Sequence, residues 1–189
     1  MTAVLALALA ALAVEPAAAI GPTEIRLEHG FTHFELSTPG LPGEYPLVVL
    51  VAGYAVPMVV WDQTVPALVG KNFAVLRFDL YGRGRSARPD VTYDPELFAR
   101  QLHELVATLQ LPARFHVVAS SMGAIVAATF ASRHPNAVDR IVLVSPAGLS
   151  ETFPPIVTVL KVPRVGRWYF RHWFKDIMLD HLKDNLATD

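Results

Sequence analysis

The chain has 189 residues, 52% of them hydrophobic, with 16 basic against 17 acidic side chains and no cysteine. It is long enough to bury one sizeable core and too apolar to be disordered, so a single domain is the simplest reading. The balanced charge offers nothing to hold a nucleic acid backbone, and the lack of cysteine excludes disulfides, cysteine zinc sites and thiol catalysis without deciding the compartment.

The opening segment, "MTAVLALALAALAVEPAAAIG", carries an apolar run from Val4 to Val14, then Glu15-Pro16 and a small-residue stretch ending at Ala17-Ala18-Ala19. That order suits a cleaved export signal over residues 1–20, although "MTA" lacks the usual positive start. An uncleaved membrane anchor and a mis-called start are the competing readings. Export or anchoring follows from the first two and a cytoplasmic location from the third. The apolar run is short against the roughly 20 residues a membrane span needs.

After Gly21-Pro22, "EIRLEHG" and "FTHFELSTPG" partly alternate apolar and polar residues and are broken by Gly30 and Pro39-Gly40, which predicts an antiparallel hairpin at a sheet edge. Leu47 to Ala52 is apolar without alternation, as a parallel strand covered on both faces should be. "WDQTVPALVG" has weak helical spacing and a stop at Gly70. Phe73 to Leu80 is the next buried strand, followed by the loop "YGRGRSARPD". A helix then starts with Asp94 as N-cap and Pro95 at its first position, and Leu97, Leu102, Leu105, Val106 and Leu109 form its apolar stripe.

"FHVVAS" reads as a strand, "MGAIVAATFASRH" as a helix closed by Pro135, and "RIVLVSPAG" as a further strand. Strand and helix alternate through three crossovers, so the expected architecture is α/β: a mostly parallel sheet with helices on both faces and its ligand site at the C-terminal strand ends. From Leu149 onward no buried strand is readable. The aromatic group Trp168, Tyr169, Phe170, Trp173 and Phe174 reads either as ordinary core or as the start of a helical cap over an apolar cavity. The expected organisation is therefore a core over 21–149 and a partial cap over 150–189.

The junction "ASSMG" carries the chemistry. A serine hydroxyl becomes a useful nucleophile only when it is held exposed, given a base, and set beside donors for the developing oxyanion. A sharp strand-to-helix turn supplies the exposure and requires small residues two before and two after the serine. Ser121 has Ala119 and Gly123 at those places, whereas Ser120 has Val118 and Met122, so Ser121 is the candidate nucleophile.

Set between a buried strand and an alanine-rich helix, this pentad resembles the nucleophile elbow of the α/β-hydrolase-fold superfamily, G-x-S-x-G, with Ala119 for the first glycine. "LVVLVAGYAVPMVVWD" is similar to the family's strand and oxyanion loop, with Ala52 where many members have histidine, and Gly53 kept. The resemblance implies an oxyanion hole made by the amides of Tyr54 and Met122. "FDLYGRGRSARP" looks like the family's D-x-x-G-x-G-x-S segment, here Asp79, Gly82, Gly84 and Ser86, which in the family shapes a turn. The likeness covers Glu24 to Leu149 in the expected order and implies a fold truncated after its sixth strand. With serine at the elbow it implies hydrolysis of a carboxylic ester or related acyl compound, apolar or lipid-like, with possible association with a lipid surface. "GRGRSA" also satisfies G-x-G-x-x-A, but Pro89 and "PDVTYDP" delay the helix that a dinucleotide site requires.

The triad in this fold runs Ser, acid, His in chain order. After Ser121 the histidines are His134, His172 and His181. His134 closes the helix that starts at the serine, about 20 Å from the active end, and His172 and His181 fall in the expected cap outside any recognisable histidine motif. His29, His33, His103 and His116 precede the serine and read as surface or hydrogen-bonded core groups. No histidine pair has zinc spacing, so neither metal nor cofactor is expected. Two readings result: part of a serine hydrolase whose base lies elsewhere, or a non-catalytic remnant or binding protein of the same fold.

Overall fold

A computed structural model describes residues 18–41 and 43–148. The chain divides into two units, 1–148 and 149–189, and the described residues lie in the first. The apolar run Val4 to Val14, the aromatic group of 168–174, His172 and His181 lie outside the described residues.

Among the described residues six strands form one sheet in the order β1-β2-β4-β3-β5-β6. Strand β1 (Ala18–Leu27) turns into β2 (Gly30–Thr38), and this antiparallel hairpin joins the sheet through an antiparallel β2–β4 ladder. The predicted edge hairpin is present. Its first strand begins at Ala18, inside the segment 1–20 set aside as an export signal, and Ala18 to Ile20 pair with Thr38 to Leu36. The remaining ladders, β4 (Ala74–Phe78) with β3 (Leu47–Val51), β3 with β5 (Phe115–Ser120), and β5 with β6 (Val138–Val144), are all parallel.

The unbroken apolar runs of β3 and β4 are buried at every position, as strands covered on both faces require. Their side chains alternate between two clusters. Val49, Val51, Leu76, Phe78, Val117 and Ala119 pack with α2 (Pro95–Thr108) and α3 (Met122–Arg133), while Val48, Leu50, Ala52 and Val75 pack with Trp61 and Val65. The second face is covered by a 3-10 turn at Met58–Trp61 and the short helix α1 (Thr64–Val69). Helices on both faces of a mostly parallel sheet are the architecture expected from the sequence.

Helix α2 starts as its sequence dictates: Asp94 caps it by accepting the Leu97 N–H at 2.8 Å, and Pro95 opens it. Of the predicted stripe, Leu97, Leu102, Leu105 and Val106 are buried and Leu109 is partly so, with Phe98, Ala99 and Gln101 added. Gly70 ends α1 as expected but stays in right-handed helical geometry. The left-handed turn falls to Asn72, φ 62°, because asparagine tolerates that region and the chain reverses there into β4.

Candidate active site

Strand β5 ends at Ser120 and α3 begins at Met122, so Ser121 alone makes the turn between them. It has φ 50° and ψ −121°, a backbone conformation that costs a non-glycine residue about 1–3 kcal/mol unless its surroundings hold it. They do. The Ser121 N–H donates to the Val144 carbonyl at 3.0 Å, extending the β5–β6 ladder, and the Ser121 carbonyl accepts from the N–H groups of Ala124 and Ala147. The Ser121 residue is exposed, while Ala119 beneath it is fully buried.

The turn is this sharp because α3 starts hard against β3. A Cβ on Gly123 would stand 2.6 Å and 2.7 Å from the carbonyl oxygens of Val51 and Ala52, where no side chain fits. Gly53, directly after β3, is also tightly placed: a Cβ there would lie 3.1 Å from Cβ of Ser121. The segment 51–53 and the turn 121–123, far apart in the chain, thus meet at the C-terminal ends of β3 and β5. Tyr54 follows Gly53 and Met122 follows Ser121 in the chain, which is where the two expected amide donors fall. The Met122 amide is also among the first N–H groups of α3, which have no acceptor within the helix.

Asp79, at the end of β4, organises the neighbouring loops. Its buried carboxylate accepts the Met58 N–H at 2.7 Å and the Arg85 N–H at 2.9 Å, and it meets Nδ1 of His33 at 2.9 Å. Ser86 Oγ donates to the Asp79 carbonyl at 2.6 Å and accepts the His33 N–H. Gly84, φ 45°, lies directly on the Asp79 carboxylate, and Gly82 lies on the ring of Tyr93. An acid therefore fills the "GRGRSA" turn, and a pyrophosphate there would face a buried negative charge. Met58 is gripped a second time, since Arg77 donates to its carbonyl at 3.4 Å and also pairs with Asp62 and Glu35. Burial works against the Arg77 charge, but the bonds to Glu35 and Asp62 outweigh it and raise its pKa. The loop from Gly53 to Met58 is accordingly tied down at its Met58 end.

Two features had no signal in the sequence. Gln101, fully buried on α2, accepts the Tyr81 N–H and donates to Thr32 Oγ1 and the Asp79 carbonyl. Arg83 lies over the rings of Tyr54, Phe98 and Tyr93, at 4.9, 5.2 and 5.8 Å from their centroids. Burial pushes its pKa down, against the opposing pull of Tyr54 and Tyr93.

The described histidines lie away from the serine. His33 forms a buried pair with an acid, but it sits on β2, three strands from β5, which at strand spacing is about 14 Å. His134 ends α3, stacked on His103 of α2 with ring centroids 4.3 Å apart, at the opposite end of a 12-residue helix. His116 is near the start of β5, beside Asp139. Among the described residues no group of three or more histidine and acidic side chains is placed to hold a metal, and no helix is long and apolar enough to cross a membrane.

Comparison with known proteins gives a consistent picture. The chain is 32% identical over 127 residues to human monoacylglycerol lipase ABHD6, covering 65% of this chain and 37% of that protein. It is 28% identical over 141 residues to the uncharacterized protein Rv2715 of Mycobacterium tuberculosis, covering 74% and 39%. It thus spans under two-fifths of the length of these curated relatives. Among solved structures, wild-type Cfl2 from Burkholderia cenocepacia superposes with a TM-score of 0.72 at 24% identity, over 82% of this chain and 56% of that one. A family model described as alpha/beta hydrolase fold matches residues 46–189. With its sheet order, its strand-to-helix serine turn and this match over well over half of its length, the chain belongs to the alpha/beta hydrolase family.

Proposed function

We propose that this chain carries the nucleophilic half of a serine hydrolase that cleaves a carboxylic ester or related acyl compound. The single observation that carries the reading is Ser121 itself: an exposed serine held at φ 50° between a buried strand and a helix, against Gly53 and Gly123. Ser121 Oγ attacks the acyl carbonyl, the oxygen that becomes negative is received by the amides of Tyr54 and Met122, and collapse expels the alcohol to leave an acyl-enzyme for water to cleave. Residues Ala119, Gly123, Gly53, Asp79, Gly82 and Gly84 hold this geometry without entering the chemistry.

The base that takes the serine proton comes from outside the described residues, since none of the described histidines is within hydrogen-bond reach of the turn. An apolar, lipid-like acyl group is the substrate class we favour. In support, one relative is named a monoacylglycerol lipase. The apolar segment at the N-terminus brings the protein to an exported or membrane-facing location. A second reading, a non-catalytic binding protein of the same fold, is favoured by the distance of His33, His103, His116 and His134 from the serine.

A fluorophosphonate probe separates them. The full-length wild-type protein should be labelled, Ser121→Ala should lose the label, and Ser120→Ala should keep it. Hydrolysis of a p-nitrophenyl ester should fall by about three orders of magnitude or more in Ser121→Ala. Labelling that survives Ser121→Ala defeats the assignment, and an unlabelled wild-type protein favours the binding reading.

A further inference from the structure

Arg83 is placed unlike the other paired arginines among the described residues. Arg77 has Glu35 and Asp62, Arg114 has Asp139, and Arg133 has Glu96. Arg83 makes no ion pair with a described carboxylate. Its Nη1 donates to the Tyr81 carbonyl at 3.0 Å, and its guanidinium lies among the rings of Tyr54, Tyr93 and Phe98. A guanidinium has five N–H donors, and aromatic rings cover its faces while leaving the in-plane edge able to donate. Nearby acids are committed elsewhere: Asp79 binds Met58, Arg85 and His33, and Asp94 caps α2. Arg85 and Arg88, both exposed in the same loop, add positive charge, opposed locally by exposed Asp90.

The position of this cation matters. Tyr54, under the guanidinium, is the next residue after Gly53, and Gly53 touches Ser121. The loop carrying Arg83 follows β4 and the serine turn follows β5, two strand spacings or about 10 Å apart at the same end of the parallel strands, so a substituent of an ester held at Ser121 can extend toward Arg83. A partly desolvated, weakly hydrated guanidinium suits planar, bidentate recognition of an oxyanion.

We propose that Arg83 is a recognition group for an anion, carboxylate or phosphate, carried by the ester substrate; this rests on the serine hydrolase reading above. Arg83 thereby selects acidic acyl compounds over neutral ones of equal chain length, a specificity that the serine turn alone does not provide.

Binding, measured by calorimetry on the full-length protein, tests this without requiring turnover. Octanoate and octyl phosphate should bind about tenfold more tightly than 1-octanol, and the difference should shrink as sodium chloride is raised from about 0.05 to 0.5 M. Arg83→Met, which keeps the apolar stem, should erase the preference, and Arg83→Lys should retain part of it; circular dichroism identifies a misfolded variant, in which case the lysine variant and the salt series decide. A preference confined to one anion supports the proposal and identifies the source. The proposal is overturned if wild-type protein binds all three ligands alike, if Arg83→Met keeps the preference, or if it weakens all three by the same factor, which would make Arg83 a brace for Tyr54. Fluorophosphonate labelling of wild-type Ser121 is read in parallel: an anion preference without labelling sinks the hydrolase reading and leaves the anion site standing.

Discussion

Asp79 shows how much one side chain can organise. Its carboxylate satisfies two backbone amides from different loops and one imidazole, all in a site that water scarcely reaches. Leaving a buried donor unpaired costs about 1–3 kcal/mol, so Asp79→Ala, which orphans three, should lower stability by about 3–5 kcal/mol in urea unfolding. A loss below about 1 kcal/mol would mean that the hub is dispensable. The residue stood out in the sequence as the first member of a turn motif, yet its partners His33 and Met58 did not, because they reach it from β2 and from the loop after β3. The turn at Ser121 was legible for a different reason. The requirement for small residues on either side of a tight turn is local, and local requirements are written in adjacent letters.

At the scale of elements, α2 and α3 pack side by side and bring His103 and His134 into parallel stacking, with Glu96, Arg100 and Arg133 lining the same groove. Desolvation, and then the neighbouring His103, hold the His134 pKa below the ordinary imidazole value. The folded state therefore binds fewer protons than the unfolded state near and below pH 6.5. Stability is fully present above that value and is lost as pH falls toward the depressed folded pKa. The thermal midpoint should decrease between pH 7.5 and 5.5, and His134→Gln should flatten the slope; an equally steep profile in the variant removes His134 as its cause. Helix α2 was readable from its cap, its proline and its stripe, but the histidine pair was not, since 31 positions of sequence separate residues that only helix packing makes neighbours.

For the molecule as a whole, β6 is the informative strand. It pairs with β5 on one side, and Ile141, Val142, Leu143 and Val144 are between 38% and 55% exposed, on both faces of the strand. Among the described residues β6 is the edge of the sheet, and an aliphatic edge strand is a template for further pairing. A fragment comprising residues 18–148 should therefore self-associate with rising concentration in light scattering, and Val142→Lys should shift it toward monomer. A wild-type fragment that stays monomeric throughout would show that this edge is inert.

The sequence by itself determined the order of strands and helices, the edge hairpin, the capped start of α2 and the strand-to-helix turn at Ser121. Each of these is settled by hydrophobic period, by capping chemistry or by sterics within a few residues, and those forces act along the chain. Tertiary structure alone decided which loops meet at the serine, that Asp79 ties His33 to Met58, that Asn72 rather than Gly70 makes the left-handed turn, and that Arg83 rests among three rings from three segments. Those outcomes depend on strands from distant positions lying about 5 Å apart in one sheet, and one strand's letters do not name its neighbour.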